Sequence, residues 1–303
     1  MTFRSGFVSI VGRPNVGKST LLNALVGEKI AIVSDKPQTT RHLIRGVMHE
    51  ESGQIVLLDT PGLHKPKTLL GERLNDLVVG SLSEVDLVGI CVPANEEIGS
   101  GDKFIAAQVA GANKSVCLII TKTDSSTGAQ IAQRIEQGIA LGKEAGIDWK
   151  FVVPLSSFDK TNLKELTSEL INCLPEGPAL YPDGHLTDEP ERILVAEFIR
   201  EAALQDMREE LPHSVAVTVE EMNLREDREN MKPLMDVFAD IHVERDSQKA
   251  IVIGKGGAQL RAIGTQARLR IEKLLGMRVH LTLHVRVTPN WQSDAKNLGK
   301  LGF

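Results

Sequence analysis

The 303-residue chain contains few cysteines and few aromatic residues, and it lacks any long apolar run. Its three cysteines, Cys91, Cys117 and Cys173, are far apart and show no Cys/His spacing typical of a zinc site. We therefore expect buried, reduced thiols in a reducing compartment. No stretch of about 18 apolar residues and no signal peptide is present, which argues against a membrane span. A cytoplasmic location is expected, and peripheral contact with the cytoplasmic face of the cell membrane stays open.

Charge is distributed unevenly, although the net charge of −5 indicates no particular partner. Residues 1–182 contain 18 Lys and Arg against 20 Asp and Glu, a net charge of −2. Residues 183–244 contain 6 against 17, a net of −11, whereas residues 245–303 contain 11 against 3, a net of +8. The basic C-terminal block predicts a face that binds a polyanion. The alternative is a solvated helix surface.

The most informative stretch is the loop Gly12–Ser19, which has the form G-x-x-x-x-G-K-S. It follows a short apolar run and precedes a helical pattern, which is the context that a phosphate-binding loop requires. Gly12 and Gly17 allow backbone N–H groups to approach phosphate. Lys18 is predicted to contact the β- and γ-phosphates as a catalytic residue, and Ser19 to bind Mg²⁺. The other predicted nucleotide ligands in and beside this loop are Arg13, Pro14, Asn15, Val16 and Thr20.

Residues 30–41 predict a long loop beside the phosphate site, where loops are often functional. A threonine there could place its hydroxyl on Mg²⁺ and its N–H on the γ-phosphate. The residues alone leave Thr39 and Thr40 as alternatives.

A predicted buried strand ends in Asp59-Thr60-Pro61-Gly62. An aspartate at this strand end suits the acid that helps to hold Mg²⁺. Gly62 allows its N–H to approach the γ-phosphate, so hydrolysis would release the loop that begins at Leu63. These five residues, 59–63, are predicted to contact the nucleotide or its metal.

Base selection is predicted at Thr121-Lys122-Thr123-Asp124, which follows another apolar strand. The Asp124 carboxylate can accept hydrogen bonds from N1–H and the 2-amino group of guanine, and adenine lacks both donors. The alkyl stem of Lys122 can cover the base. Ser156 and Ser157, after the last predicted strand, can offer N–H groups to guanine O6. GTP and GDP are therefore the expected nucleotides.

Predicted strands alternate with helices through residues 1–174, which indicates an α/β domain: a mostly parallel sheet flanked by helices on both faces. Residues 175–191 are rich in proline and glycine and predict a linker. Residues 192–303 predict an α+β domain with helices on one face of a sheet, beginning with an amphipathic helix over 192–210. Residues 279–287 alternate as a half-buried strand.

Within the third segment, a G-x-x-G turn at Gly254–Gly257 lies between two predicted helices. Such a turn alone is commonly a helix connection, but beside the basic block it indicates a KH-type domain that binds single-stranded RNA. The predicted RNA ligands are Ile253, Gly254, Lys255, Gly256, Gly257, Arg261 and Arg268.

These motifs occur in the order of the five GTPase motifs, and Gly12–Ser19, Thr39-Thr40-Arg41 and 59–62 resemble the translation-factor-like branch of bacterial P-loop GTPases. With the KH-like segment and the closing residues 291–303, nearly the whole chain resembles the Era family of ribosome-assembly GTPases. The resemblance implies GTP hydrolysis, binding to the 3′ region of small-subunit (16S) ribosomal RNA, assistance in 30S assembly and rRNA maturation, and a monomer. It favours Thr40 as the Mg²⁺ ligand and implies that Asn15 coordinates K⁺, which would supply positive charge during hydrolysis.

Three positions depart from that pattern. The base motif usually begins with asparagine and here begins with Thr121, and Ser157 replaces the usual alanine. Leu63 stands where Ras-like enzymes keep a water-orienting glutamine, and leucine cannot orient water. An RNA-binding assembly factor that hydrolyses GTP slowly, as a structural switch, therefore remains an alternative. An ATP-using enzyme, which Asp124 disfavours, and a GTPase whose basic domain contacts anionic lipid are the other two.

Overall fold

The computed structural model describes residues 2–36, 38–205, 207, 211–225 and 233–303. These residues form two compact units, which divide between Asp188 and Glu189. All three cysteines are free, and Cys91 and Cys117 are buried. Within the described ranges, no helix is both long and apolar enough to cross a membrane.

The first unit is built on a six-stranded sheet with strand order β2-β3-β1-β4-β5-β6. Every pairing is parallel except that of β2 with β3, so the predicted mostly parallel sheet is confirmed. The strands are β1 Arg4–Gly12, β2 Ile44–Glu50, β3 Gly53–Asp59, β4 Leu87–Pro93, β5 Ser115–Thr121 and β6 Trp149–Pro154, and the helices are α1 Lys18–Val26, α2 Leu69–Leu82, α3 Ser100–Gly111, α4 Gly128–Ala145 and α5 Leu163–Cys173.

The sheet has a hydrophobic core on each face because successive strand residues point to opposite sides. Ile55 and Leu57 of β3 pack in one cluster with apolar residues of α1 and α5. Val56 and Leu58 pack in a second cluster with residues of α2, α3 and α4. With both faces covered, the carboxyl ends of the parallel strands form one exposed edge, where open α/β sheets bind ligands.

Residues 175–188, predicted as an irregular linker, follow the edge of the first unit. The N–H of Ser5 donates to the carbonyl of Pro175 at 3.1 Å, and the N–H of Val47 donates to Leu186 at 2.8 Å. The buried Gln54 side chain accepts from the N–H groups of Leu180 and Tyr181 and donates to the Tyr181 carbonyl. One side-chain amide thus holds this irregular backbone against β3.

The second unit contains a three-stranded sheet of order β7-β8-β9, in which β7 and β8 are antiparallel and β8 and β9 parallel. Alternate residues of β8, from Val237 to Val243, are buried. This α+β arrangement confirms the predicted fold class, although the first helix ends at Gln205, and residues 206 and 208–210 of its predicted range lie outside the described residues. The elements are α6 Glu191–Gln205, β7 Ala216–Arg225, β8 Leu234–Val243, α7 Asp246–Ile253, α8 Ala258–Leu275, β9 Arg278–Val287 and α9 Ala295–Lys300.

Candidate functional site

The loop Gly12–Ser19 joins β1 to α1, and its backbone turns through left-handed conformations at Asn15 (φ 62°) and Gly17 (φ 101°). Lys18 is 5% exposed, and its Nζ donates to the carbonyls of Gly12 at 3.2 Å and Arg13 at 3.0 Å. Burial lowers the pKa of Lys18, while the charge of Asp59 acts in the opposite direction. The loop therefore holds a buried ammonium on backbone carbonyls, at the N-terminus of a helix that favours anions.

Three oxygen-bearing side chains converge beside Lys18. Ser19 Oγ donates to Asp59 Oδ2 at 2.6 Å and lies 3.0 Å from Thr40 Oγ1, which is 3.3 Å from the same carboxylate oxygen. Asp59 is fully buried, and its Oδ1 has no hydrogen-bond partner among the described residues. Burial raises the pKa of Asp59 to about 6, although Lys18 and the two hydroxyls oppose the shift.

This donor set fits Mg²⁺, a hard cation that prefers oxygen ligands. A buried carboxylate oxygen without a partner is costly, and a cation nearby would compensate its charge. Thr39 is oriented differently, since its Oγ1 donates to the carbonyl of Lys36 at 2.6 Å. The structure thus brings Thr40, rather than Thr39, to Ser19 and Asp59.

The segment after β3 lies directly against the phosphate loop. A Cβ placed on Gly62 would be 2.6 Å from the backbone nitrogen of Pro14. The N–H of Leu63 donates to the Gly12 carbonyl at 3.3 Å, and the Thr60 hydroxyl donates to Ile10 at 2.8 Å. Leu63 is 1% exposed and packs in the core, so its side chain offers nothing polar to a water molecule.

The loop 30–36 lies against the other side of the phosphate loop. Asn15 Nδ2 donates to the Asp35 carbonyl at 2.8 Å. Further along, the Gln38 amide contacts the ring of His64, and the sequence had not indicated this link between the two loops. The beginning of the loop is fixed by the Asn23 side chain, which binds the backbone of residues 30 and 31.

At the base-selection end, Thr121 is 2% exposed, and its hydroxyl donates to the Val16 carbonyl at 2.5 Å. The replacement of asparagine therefore keeps a direct bond between this motif and the phosphate loop. Ser156 Oγ donates to Asp124 Oδ1 at 2.6 Å, while Asp124 itself is exposed. The carboxylate is thus oriented by Ser156, and its Oδ2 has no hydrogen-bond partner in the described parts of the chain.

A cavity of about 460 Å³ joins these segments. Buried predicted residues such as Asp59 and Thr121 lie behind its lining, and Asp124, Ser156 and Ser157 are outside it. The sequence predicted ten of the lining residues: Pro14, Asn15, Gly17, Lys18, Ser19, Thr20, Thr39, Thr40, Gly62 and Lys122. Ile32, Val33, Ser34, Asp35 and Gln38 also line it, and their place in a loop beside the phosphate motif was the only sequence signal for them.

In the second unit, the turn between α7 and α8 has positive φ angles at Gly254 (71°), Gly256 (59°) and Gly257 (76°). Lys255 and Gly256 are exposed, and the backbone at the tip is open to approach. A cavity of about 670 Å³ runs from this turn between α8 and β9, and Arg261 and Arg268 line it. Residues 279–283 of β9 form its other wall, which the sequence had not assigned to the site.

The positive charge of this unit is partly used in internal ion pairs. Arg270 pairs with the buried Glu201, and Arg286 pairs with the buried Asp240. The net charge of residues 245–303 therefore overstates the positive charge available to a ligand.

Comparison with known proteins agrees with both units. Residues 7–122 match the family described as 50S ribosome-binding GTPase, and residues 210–292 match the KH domain family. Together with the geometry above, these matches define a P-loop GTPase domain followed by a KH domain.

Full-length relatives narrow that class. The chain is 56% identical over 301 residues to GTPase Era of Nocardioides sp., covering 99% of this chain and 96% of the relative. It is 56% identical over 303 residues to GTPase Era of Mycolicibacterium smegmatis, covering 99% of each. A solved structure of Aquifex aeolicus Era bound to GDP·AlF4⁻ matches with a TM-score of 0.92 at 36% identity, again over 99% of each chain. The chain belongs to the Era family of GTPases.

Proposed function

We propose that the protein is a GTP-hydrolysing switch that binds the 3′ region of 16S ribosomal RNA and assists assembly of the 30S subunit and rRNA maturation. The convergence of Ser19, Thr40 and Asp59 beside Lys18, in a chain that also carries the G-x-x-G groove, supports this proposal most directly. A solved Era structure in complex with MgGDPNP and nucleotides 1506–1542 of 16S ribosomal RNA matches this chain with a TM-score of 0.92 over 99% of its length.

In this proposal Lys18 exchanges its two carbonyl partners for phosphate oxygens. Ser19 and Thr40 hold Mg²⁺ with Asp59 behind them, and bound Mg²⁺ neutralises charge on the phosphates. The Gly62 N–H contacts the γ-phosphate, and loss of that group releases the loop that follows. Asp124, oriented by Ser156, selects guanine.

A potassium ion at Asn15 is part of the same proposal. Because Leu63 is buried, no side chain at that position orients water, and another source of charge is needed. The Asn15 amide lies 2.8 Å from the Asp35 carbonyl, and amide N and O are assigned from the hydrogen-bond network rather than observed. With its oxygen turned outward, Asn15 would offer K⁺ an oxygen ligand near a second one. We expect potassium-stimulated hydrolysis.

For RNA, the glycine-rich turn lets the KH backbone approach a single strand, with Lys255, Arg261 and Arg268 providing positive charge. A monomer in the cytoplasm accounts for this function. Contact with anionic lipid is the alternative reading of the basic surface, and a pull-down that compares liposomes with RNA separates the two.

Two substitutions test the two halves of the proposal. Lys18→Ala should abolish GTP turnover, and persistent potassium-stimulated hydrolysis would overturn the site assignment. Gly256→Asp should weaken RNA binding because it adds a negative charge beside the RNA backbone, whereas the matched Gly256→Asn should bind more tightly than Asp. Both side chains tolerate the left-handed conformation of residue 256. Equal RNA affinity of Gly256→Asp and wild type would remove the RNA groove.

The buried Leu63 favours one second candidate, an assembly factor in which GTP turns over slowly and acts mainly as a structural switch. Single-turnover rates with and without potassium and RNA distinguish it, since the leading proposal predicts stimulation by both. Competition of ATP against labelled GTP tests the guanine preference in the same assay.

A further inference from the structure

The Arg13 side chain turns away from the phosphate loop toward the start of α3. Its Nε donates to Asp102 Oδ1 at 2.8 Å, and its Nη2 donates to Glu96 Oε2 at 3.1 Å. Asp102 is 1% exposed, and its other oxygen accepts the N–H of Gly99 at 2.9 Å. The acid is therefore fixed by the first turn of the helix, and Arg13 is fixed by the acid.

The backbone of Arg13 has a separate task. Its carbonyl accepts a hydrogen bond from Lys18 Nζ at 3.0 Å. A chain of contacts thus runs from Asp102 through the Arg13 side chain and carbonyl to the lysine of the phosphate loop. The same anchor approaches the base-selection end, because Glu96 Oε1 lies 3.9 Å from Lys122 Nζ.

We propose that Asp102 is a positioning residue for the nucleotide site, which holds the phosphate loop and Lys18 in place through Arg13. The Arg13 guanidinium then acts as an anchor, and Arg13 serves the nucleotide through its backbone alone. This inference rests on the proposed nucleotide site and adds a residue 89 positions from Arg13 (102 − 13) that no phosphate motif includes.

Gly101 supplies a sharp test. A Cβ at this position would lie 2.8 Å from Arg13 Cδ, so alanine would displace the anchored side chain while leaving Asp102 unchanged. Alanine is a better helix former than glycine, so an effect on the helix alone would raise the melting temperature. Lys103→Met is the matched control on the same helix, since it removes an exposed pair with Glu144 at 2.8 Å.

The experiment measures the melting temperature of the full chain and its affinity for GDP and, by competition, for GMP. Gly101→Ala and Asp102→Asn should each weaken GDP binding about tenfold, roughly the loss of one charge-assisted hydrogen bond. GMP affinity should not change, because the displaced loop contacts the β-phosphate, and Lys103→Met should behave like wild type.

Wild-type affinity for GDP in both variants would overturn the inference. So would an equal loss for GDP and GMP, or a Gly101→Ala chain whose melting temperature falls together with its affinity. If the wild-type chain itself failed to bind GDP, the proposed function would be lost instead, so the two failures are distinguishable.

Discussion

Replacing Gly62 with alanine should separate the loop after β3 from the phosphate loop. The added Cβ would lie 2.6 Å from Pro14 N and 2.8 Å from Pro14 Cα, and both are backbone atoms that cannot rotate away. Overpacking of this kind costs about 1–3 kcal/mol. Moving residue 62 outward also weakens the bond from Leu63 N–H to Gly12, at about 1 kcal/mol.

A penalty of about 2 kcal/mol on the closed arrangement corresponds to roughly a 30-fold change in its population. We therefore expect single-turnover GTP hydrolysis to fall by about that factor, again because each 1.4 kcal/mol is tenfold. GDP affinity should fall much less, since Gly62 is placed to contact the γ-phosphate, which GDP lacks.

The assay compares Gly62→Ala with Gly80→Ala, a glycine-to-alanine change at an exposed position of α2 where an added Cβ meets no atom within 4 Å. Gly80→Ala should keep the wild-type rate and should raise the melting temperature slightly. If Gly62→Ala hydrolyses GTP at the wild-type rate, the contact between residue 62 and Pro14 has no role in the closed state, and our reasoning fails.

Three further outcomes are expected. Thr121→Val should lower GTP affinity about tenfold, because it leaves the Val16 carbonyl without its 2.5 Å donor, whereas Thr121→Ser should bind as wild type; equal affinity of the valine variant in an equilibrium titration would contradict this. Asp124→Asn should shift preference from guanosine to xanthosine nucleotides, since xanthine carries a carbonyl where guanine has its 2-amino group, and a competition assay that still favours GTP would count against the assigned role. A chain that ends at residue 174 should melt several degrees below one that ends at residue 188, because it loses the bonds of Gln54 and Val47 to residues 180–186; identical melting curves would show that those bonds add nothing.

Local signals were sufficient for most of the first unit. The strands β1, β3, β4 and β5 are buried on both faces and therefore appear as continuous apolar runs, each followed by its motif. The edge strand β2 was not predicted, because Arg45, Gly46 and His49 interrupt its apolar pattern and its position depends on pairing with β3.

The contacts that shape the site are mostly between residues far apart in the chain. Arg13 with Asp102 and Gln38 with His64 carry no spacing rule that a single sequence reveals. The RNA groove shows the same limit: Gly254–Gly257 is a local motif, whereas the β9 wall follows only from how the strand packs beside α8. Charge counting overestimated the free positive surface because Arg270 and Arg286 are paired with buried acids.

Crosslinking of the protein to RNA in living cells, followed by sequencing of the bound RNA, tests the central claim most directly. Our account predicts that the reads concentrate at the 3′ end of 16S ribosomal RNA for the wild-type chain and that this enrichment is lost in Gly256→Asp. Reads that follow RNA abundance, or an unchanged enrichment in Gly256→Asp, would contradict it.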